Sequence, residues 1–327
     1  MSDTFPAIAD ATVDGDVGSW LARHCAELET TLDTAGALLL RRTGLSTESE
    51  FREAVAAYSP NRLDYVYRST PRTDLGSGIY TATEYPPGLP IPLHNENAYQ
   101  REWPLRLLFF CVRPAEGGTG QTPIARNVEI TRYIPASTRQ RFADKGLTYI
   151  RNYRPDVDLP WQTVFQTDSR AEVEKFCGAK GIEWEWTGAD SLRTRQTCPA
   201  FATHPRSGET VWFNQAHLFH PSSLNPRTRA AMLETYRESD FPRHVTFGDG
   251  SPLDEGELAG IREAYARAAV TFEWRAGDLL FLDNMLAAHG RTPYRGPRRV
   301  LVAMCDPFCA TVDDRRNADA QSTSAPA

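Results

Sequence analysis

The sequence lacks the cysteine spacings that mark many zinc-binding and redox proteins. None of its six cysteines forms a C-x-x-C pair, the spacing found in structural zinc sites and thioredoxin-like motifs. Cys305 and Cys309 could supply half of a zinc site, but no second Cys or His pair lies near them in the sequence. The scattered cysteines are therefore expected to be reduced, mostly buried thiols of a cytoplasmic protein.

Long apolar runs and an excess of positive charge are also missing. The longest apolar run, residues 105–112, contains Arg106 and is too short to span a bilayer. Residues 1–16 are polar and acidic without an apolar centre, so we expect no signal peptide. The formal net charge is −6, whereas a nucleic-acid surface needs a basic stripe. We expect neither nucleic acid nor a membrane as a partner.

What is present favours one mainly β domain. A chain of 327 residues suffices for one large domain with insertions or for two small ones, and no linker-like stretch divides it. Many short strands between turn signals, with added helices, predict a jelly-roll core. We expect a single domain over residues 1–316, with an insertion around residues 148–200 beside the candidate site. Residues 317–327, rich in Ala, Ser and Thr, are expected to be a disordered tail.

Helices are predicted at the front of the chain and in the later insertions. Residues 15–34 carry apolar side chains at helical spacing, and Asp16 can cap their start. Thr47 and Glu50 form a capping box before a second helix. Strands are predicted over residues 37–41, 76–85, 105–112, 208–217, 244–248, 273–284 and 299–304.

His94 and Glu96 form an H-x-E pair that can bind a metal ion. Two imidazoles and one carboxylate make the facial triad that holds Fe(II) and leaves three positions open. If residues 92–97 are extended, alternate side chains share a face, so both can reach one ion. His289 follows the strand-like residues 277–284 and is the candidate third ligand. The alternative for His289 is a histidine that caps a helix or a loop.

Arg298 and Arg299 follow His289 and start another apolar run. A guanidinium at this place can bind the far carboxylate of a diacid cosubstrate through paired hydrogen bonds. Successive strand residues point to opposite faces, so we expect Arg298 to face the site and keep Arg299 as the alternative. A pair of surface arginines is the further possibility.

Four segments in the same order resemble the taurine dioxygenase superfamily: residues 92–99, 110–123, 211–224 and 277–300. The similarity covers residues 75–305, and the most similar branch contains syringomycin-biosynthesis and clavaminate-synthase-like enzymes. The resemblance implies a fold that is mainly β with helical additions, built on a double-stranded β-helix (jelly-roll, cupin-like) core. It also implies a dioxygenase that uses Fe(II), 2-oxoglutarate as cosubstrate and O2.

The resemblance assigns roles to particular residues. His94, Glu96 and His289 match the iron ligands, and Arg298 matches the arginine that binds 2-oxoglutarate. Thr122 matches a threonine that contacts the same carboxylate, with a plain turn residue as the alternative. Taurine dioxygenase has Asp where this chain has Glu, and the amino-acid-hydroxylating branch also has Glu. A carboxylate here argues against a halogenase, which leaves the place to chloride.

Substrate contacts are predicted beside the metal and cosubstrate motifs, and packing is the alternative for each of them. The candidates are Asn97, Tyr99, Arg126, Trp212 and Asn214. The resemblance implies an amino acid, free or tethered to a carrier protein, that is hydroxylated at an unactivated C–H bond in natural-product biosynthesis. Desaturation or ring closure of an amino-acid-derived compound, or oxidation of a sulfonate or other small acid, are the alternatives.

Rival classes find little support in the residues. The chain has no G-x-S-x-G elbow and no cysteine in a motif with a histidine, which disfavours a serine or cysteine hydrolase. Loss of a metal ligand would favour a jelly-roll binding protein, and all three candidates are present. His217 and His220 form an H-x-x-H pair with no carboxylate nearby in the sequence, which predicts a structural or pocket-lining role.

Overall fold

The described part of the chain contains every predicted site residue. A computed structural model of the protein describes residues 4–310, except residues 12, 14, 64, 65, 68, 71 and 156. The predicted tail, residues 317–327, lies outside the described residues.

Nine α-helices occur in this part of the chain. Both predicted caps are confirmed: Asp16 accepts a hydrogen bond from the Ser19 backbone N–H, and Thr47 forms a reciprocal capping box with Glu50. None of the described helices is both long enough and apolar enough to cross a lipid bilayer. The helices are α1 (Val17–Ala35), α2 (Glu48–Tyr58), α3 (Asn127–Tyr133), α4 (Ala136–Lys145), α5 (Trp161–Phe165), α6 (Arg170–Lys180), α7 (Ala216–Phe219), α8 (Pro226–Leu233) and α9 (Glu255–Ala268).

Fifteen strands make up the β structure of the described residues. They are β1 (Ala7–Asp10), β2 (Ala37–Arg41), β3 (Ile79–Thr81), β4 (Ile91–His94), β5 (Glu102–Arg113), β6 (Ile124–Arg126), β7 (Leu147–Tyr153), β8 (Glu183–Trp186), β9 (Leu192–Cys198), β10 (Phe201–Thr203), β11 (Thr210–Trp212), β12 (Arg243–Phe247), β13 (Leu279–Asp283), β14 (Ala287–Arg291) and β15 (Arg299–Cys309).

The main layer is a six-stranded sheet in the order β1-β2-β13-β5-β15-β3. Its central strand β5 shows why residues 105–112 are continuously apolar. Leu108 and Phe110 pack in the cluster that contains the apolar residues of α1 and α2. Leu107 and Phe109 point the other way and pack with Ile124 of the smaller sheet. Because both faces are covered, neither needs polar side chains.

The smaller sheet, β4-β14-β6, carries the candidate metal ligands. The backbones of β4 and β14 approach so closely that a Cβ on Gly290 would lie 2.6 Å from the Ile91 carbonyl oxygen. The register between these strands shifts next to His289, as at a β-bulge, a feature that re-aims side chains near active sites. Glycine at position 290 therefore lets the two ligand-bearing strands meet.

A third sheet, β12-β7-β9-β8, is antiparallel throughout. Its strands β7, β8 and β9 lie in the predicted insertion around residues 148–200, together with α5 and α6. Its apolar residues pack with those of α9 and α4 in one cluster, which includes Tyr149, Leu192, Phe142 and Ile261. The loop between β7 and α5 carries Asp158, which becomes relevant for the site.

The six-stranded sheet and the smaller sheet, β4-β14-β6, face each other across an apolar interior. This arrangement confirms the expected mainly β fold with helical additions. The pairings of the described residues do not close into a barrel. Four of the cysteines are buried and Cys309 is exposed, and all six are free thiols. Burial raises the pKa of Cys111 to about 12, which makes this thiol unreactive at neutral pH.

Several strands differ in length from the prediction. The predicted strand over residues 76–85 is reduced to β3, and that over residues 273–284 begins only at Leu279, after a turn at Gly277 with φ 87°. β5 is longer than predicted because it pairs with β15 along its whole length, from Arg113 to Glu102. Tertiary pairing, not the local apolar run, decides where these strands end.

Candidate active site

The two candidate histidine ligands lie on neighbouring strands of the smaller sheet. His94 is the last residue of β4 and His289 lies in the middle of β14. They are direct partners in the antiparallel register, and their ring centroids are 4.5 Å apart. His289 is thus a strand residue, and the alternative that it caps a helix or loop is wrong.

Glu96 reaches the histidines from a turn. β4 ends at His94 and a turn begins at Glu96, so the condition that residues 92–97 are extended is not met. Nevertheless, Glu96 Oε2 lies 3.9 Å from His289 Nε2. The turn is held by Asn284, whose Oδ1 accepts from the Glu96 N–H at 2.7 Å and whose Nδ2 donates to the Glu96 carbonyl at 2.9 Å.

Further buried amides support the backbone around this turn. Asn284 also donates to the Pro104 carbonyl at 2.9 Å, and its own carbonyl accepts from Asn95 Nδ2 at 2.7 Å. Gln215 donates to the Asn95 carbonyl at 2.6 Å. Each of these three amide side chains is at most 5% exposed, so its hydrogen bonds form in a dry interior where they orient strongly. The sequence shows these amides beside the motifs but not their contacts.

Both histidines are in the neutral form that a metal ligand requires. His94 Nδ1 lies 2.9 Å from the Pro92 carbonyl oxygen, which only accepts, so Nδ1 carries the proton and Nε2 keeps its lone pair. Burial lowers the pKa of His94, although Glu96 acts in the opposite direction. Burial, with His94 and Arg72 nearby, lowers the pKa of His289 well below its usual range. The approach of His289 to Glu96 is therefore not an ion pair at neutral pH.

The donor set fits a divalent first-row metal. The ligand atoms of the His94 cluster, defined as His94, Glu96 and His289, all lie within 4.8 Å of one another. Nitrogen and oxygen ligands bind such ions at about 2.0–2.2 Å, so two ligands of one ion lie up to about 4.4 Å apart. Small side-chain rotations bring the three atoms into that range. Two imidazoles and a carboxylate are the donors of the non-haem Fe(II) triad.

Arg72 pairs with the carboxylate of this cluster. Its Nη2 lies 2.6 Å from Glu96 Oε2, and the two side chains are 2% and 4% exposed. Loss of either partner would leave a buried charge without its counter-ion, which costs several kcal/mol. Sequence reasoning missed Arg72, because no local pattern marks a residue that meets Glu96 only in the folded chain.

Arg298 faces inward and Arg299 faces outward, as predicted, although β15 begins only at Arg299 and Arg298 precedes it. Arg298 Nε donates to the Gly120 carbonyl at 3.0 Å. The Arg299 side chain is 53% exposed and pairs with Glu48 on the surface at 2.8 Å. Of the two arginines, only Arg298 can contact a ligand next to the His94 cluster.

The inward arginine borders a small, positively charged cavity. Burial and the neighbouring Arg291 lower the pKa of Arg298 to about 10, so it stays charged at neutral pH. Thr122 Oγ1 accepts from Trp274 Nε1 at 2.9 Å, which leaves its hydroxyl proton free to donate. The cavity measures about 30 Å³, room for a few water molecules. Its lining includes Arg72, His94, Thr122, His289, Arg291 and Arg298.

A second cavity, of about 460 Å³, is lined by His94 and Glu96 and is called the larger cavity because it exceeds the small cavity at Arg298. Most of its wall is apolar. Sequence reasoning missed most of these residues, because they come from the β7–α5 loop, α7 and the start of β12, which share no sequence pattern. The lining includes Val157, Asp158, Gln215, Leu218, Phe219, His220, Phe241 and Arg243.

Two of the predicted substrate contacts are buried in the scaffold. Trp212 and Asn214 are fully buried. The Trp212 ring packs against Phe142 at 5.0 Å between centroids. Asn214 bridges backbone groups, because its Nδ2 donates to the Ala200 carbonyl at 3.0 Å and its Oδ1 accepts from the Ala216 N–H at 3.1 Å. Neither lines the larger cavity, so their positions favour the packing alternative.

The other three predicted contacts also lie away from the larger cavity. The Tyr99 hydroxyl donates to the Tyr67 carbonyl at 2.9 Å, and the Arg126 guanidinium lies 5.0 Å from the Phe5 ring centre. Asn97, at φ 59°, borders a different cavity of about 530 Å³. A direct role of these residues in substrate binding stays a prediction, and their positions do not favour it.

The two histidines of the H-x-x-H pair have different surroundings: His217 packs in the interior and His220 lies in the wall of the larger cavity. His217 stacks on Tyr265 with ring centroids 4.2 Å apart, and burial lowers its pKa to about 3. His220 lines the larger cavity, and burial lowers its pKa to about 4. His220 Nδ1 accepts from the Ser222 N–H at 3.1 Å, so its proton resides on Nε2. Both side chains fit the structural or pocket-lining role that was predicted.

A second group of potential metal donors lies elsewhere. The Asp283 cluster, defined as Asp33, His204 and Asp283, also has ligand atoms within 4.8 Å of one another. His204 Nδ1 accepts from the Ser207 N–H at 3.1 Å, so Nε2 donates to Asp283 at 2.8 Å. Arg106 forms salt bridges with both carboxylates of the cluster. Both carboxylates and both ring nitrogens of this cluster therefore already have partners, which disfavours a metal ion here.

The chain belongs to the TauD/TfdA family. The family profile described as "Taurine catabolism dioxygenase TauD, TfdA family" matches residues 4–305. This assignment and the donor set of the His94 cluster define the class: an Fe(II)- and 2-oxoglutarate-dependent dioxygenase, with O2 as the second cosubstrate. The expected family and class are confirmed, while the syringomycin-type branch stays a prediction.

Relatives and solved structures agree with this assignment. "Dapdiamide synthesis protein DdaC" of Enterobacter agglomerans is 35% identical over 95% of this chain and 94% of its own. "Clavaminate synthase-like protein At3g21360" of Arabidopsis thaliana is 30% identical over 85% of this chain and 84% of its own. PvcB from Pseudomonas aeruginosa is similar in fold, with a TM-score of 0.53 at 17% identity over 91% of this chain and 84% of its own. This last likeness confirms the expected jelly-roll fold.

Proposed function

We propose that the His94 cluster binds Fe(II), that Arg298 and Thr122 bind the far carboxylate of 2-oxoglutarate, and that the larger cavity takes an amino-acid substrate. The observation that carries this proposal is the direct pairing of His94 with His289, with Arg298 bordering the same small cavity. When bound, Fe(II) and 2-oxoglutarate activate O2 for oxidation of a C–H bond, and the cosubstrate leaves as succinate and CO2.

The protein's own groups fix the geometry of the cosubstrate. Arg298 offers a charged, planar donor pair that matches a carboxylate, and the Thr122 hydroxyl can donate to the same group. The cavity of about 30 Å³ is smaller than a five-carbon diacid. Arg72 borders this cavity and contacts Glu96, so we expect its side chain to shift when 2-oxoglutarate enters.

The larger cavity supplies the environment for the substrate. Leu218, Phe219 and Phe241 give it an apolar wall beside His94 and Glu96. Such a wall excludes water from the reacting carbon and strengthens the few polar contacts that orient the substrate.

An amino-acid substrate in natural-product biosynthesis is supported by three observations. One relative is named for dapdiamide synthesis, and PvcB is described as an oxygenase from an isonitrile synthetic pathway. The carboxylate of the cluster is Glu, as in the amino-acid-hydroxylating enzymes that the chain resembles. Besides Glu96, the larger cavity also contains one anionic and one cationic side chain, Asp158 and Arg243. We propose hydroxylation as the reaction.

Anaerobic titration and a substrate screen test this proposal. Addition of Fe(II) and 2-oxoglutarate without oxygen should give a weak visible charge-transfer band. Free amino acids and carrier-loaded aminoacyl thioesters are then offered with O2 while succinate release is measured. A product heavier by one oxygen atom supports hydroxylation, whereas loss of two hydrogens indicates desaturation or ring closure. Turnover of taurine but of no amino acid would overturn the proposed substrate.

A further inference from the structure

The larger cavity contains one ion pair whose charges match a free amino acid. Among the described residues that line it, Glu96 aside, only Asp158 and Arg243 carry a formal charge. Arg243 Nε lies 3.2 Å from Asp158 Oδ2, and the side chains are 32% and 31% exposed. The pair thus lies at the boundary between the apolar wall and solvent, where charged groups retain part of their strength.

Arg243 is held in place and still has donors to offer. Its Nη2 donates to the Ser69 carbonyl, and its Nε donates to Asp158. These contacts use two of the five N–H groups of the guanidinium, which leaves three for a ligand. The guanidinium carbon also lies 5.9 Å from the Phe219 ring centre, so an aromatic face limits its movement.

We infer that Arg243 and Asp158 are the specificity-determining residues that bind the carboxylate and the ammonium group of a free amino-acid substrate. The inference rests on the proposed function. Since both ligand charges are adjacent in an α-amino acid, the substrate can lie across the existing pair and give each side chain a second partner of opposite charge. His220, with its proton on Nε2, adds a neutral donor on the same wall.

The charge pair selects against a carrier-tethered substrate. An aminoacyl thioester has no carboxylate, so the Arg243 guanidinium would face an uncharged carbonyl instead of an anion. A site built for a charged group discriminates strongly against the analogue that lacks it, because its own polar atoms then remain unpaired. Free amino acids should therefore be turned over better than the corresponding thioesters or α-amides.

The test compares Arg243→Gln, Arg243→Lys and Asp158→Asn with Arg141→Gln as the matched control. Arg141 pairs with Glu257 at 3.1 Å and is 47% exposed, outside the lining of the larger cavity. The probes are the twenty common amino acids, their α-amides and their thioesters. For an amino acid that wild type turns over, the KM should rise about ten- to a hundredfold in R243Q and D158N. R243K should lie between R243Q and wild type, because Lys keeps the charge without the planar donor pair.

The 2-oxoglutarate KM and the anaerobic band should be unchanged in all four variants, which separates this inference from the proposed function. An amino-acid KM in R243Q equal to that of the R141Q control would overturn the inference, as would thioesters that rival free amino acids. A wild-type protein that forms the band and turns over thioesters but no free amino acid overturns the subsite alone. Turnover of neither free amino acids nor thioesters overturns the proposed substrate as well. Failure to form the band overturns the metal assignment instead.

Discussion

Two groups of histidine and carboxylate side chains in this protein meet the same distance criterion and differ in their surroundings. The His94 cluster has one carboxylate, which pairs with Arg72, two neutral histidines, and two cavities that His94 borders. The Asp283 cluster has two carboxylates, and Arg106 pairs with both of them. Asp283 also accepts from the backbone N–H groups of Met285 and Leu286 at 2.9 and 3.0 Å.

The difference lies in the lone pairs of the ligand atoms. In a structural cluster they already accept hydrogen bonds, whereas in a metal site some of them remain available. In the Asp283 cluster, both ring nitrogens of His204 and the carboxylates already have partners. In the His94 cluster, His94 Nε2 keeps its lone pair toward Glu96 and His289. A polar cluster with complete hydrogen bonding stabilises the fold, whereas a cluster whose ring nitrogens keep a free lone pair gains more from binding a cation. The predictions below test this distinction.

The largest effect is expected for His94→Ala. Loss of one of three ligands should abolish the Fe(II)·2-oxoglutarate band and the turnover, because the remaining donors cannot hold the ion in place. The free energy of unfolding should stay within about 1 kcal/mol of wild type, since His94 borders a cavity. Succinate release and urea denaturation measure the two effects. Consumption of 2-oxoglutarate at the wild-type rate would show that the metal assignment is wrong.

His204→Ala is the matched substitution in the Asp283 cluster. It should lower the stability of the protein and leave its Fe(II) affinity nearly unchanged. It removes a fully buried ring and leaves Asp283 without one hydrogen bond. We expect a loss of about 2–4 kcal/mol in the free energy of unfolding. The affinity for Fe(II), measured at a temperature where the variant is folded, should change little. A variant that retains wild-type stability but loses iron would reverse the assignment of the two clusters.

Arg298→Ala should raise the 2-oxoglutarate KM about thirty- to a thousandfold, which corresponds to about 2–4 kcal/mol for a lost charge-assisted pair. Arg299→Ala is the control, because that side chain is exposed and pairs with Glu48. Its KM should stay close to wild type. Initial rates at varied 2-oxoglutarate concentration provide the measurement. Equal effects of the two substitutions would contradict the assignment of Arg298 as the arginine that binds 2-oxoglutarate.

The smallest effect is expected for Asn284→Ala, which removes the amide that holds the turn at Glu96. Loss of a residue that orients a ligand typically lowers metal affinity ten- to a hundredfold. Titration with Fe(II) under anaerobic conditions measures this change, and the unfolding free energy is followed in parallel. If the variant is destabilised but its Fe(II) affinity is unchanged, Asn284 has only a structural role.

Much of the site was predictable because it depends on local spacing. The H-x-E pair, the later histidine and the arginine pair can be recognised as donors of a known type, and strand alternation predicts that only one arginine points inward. The positions of Asn97 and Trp212 do not favour the substrate role that was predicted for them. Proximity in sequence to a motif does not place a side chain in the larger cavity: a tight turn after β4 redirects the chain at Asn97, and Trp212 packs in the interior.

The sequence by itself determined the helix caps at Asp16 and Thr47, the two-sided burial of β5 and the chemical type of the metal donors. These properties follow from residues close together in the chain. Only the tertiary structure decided that Arg72 meets Glu96, that Asn284 holds the turn, and that Asp158 and Arg243 share a cavity. These contacts join distant segments, and their formation depends on sheet pairing and packing that no local pattern encodes.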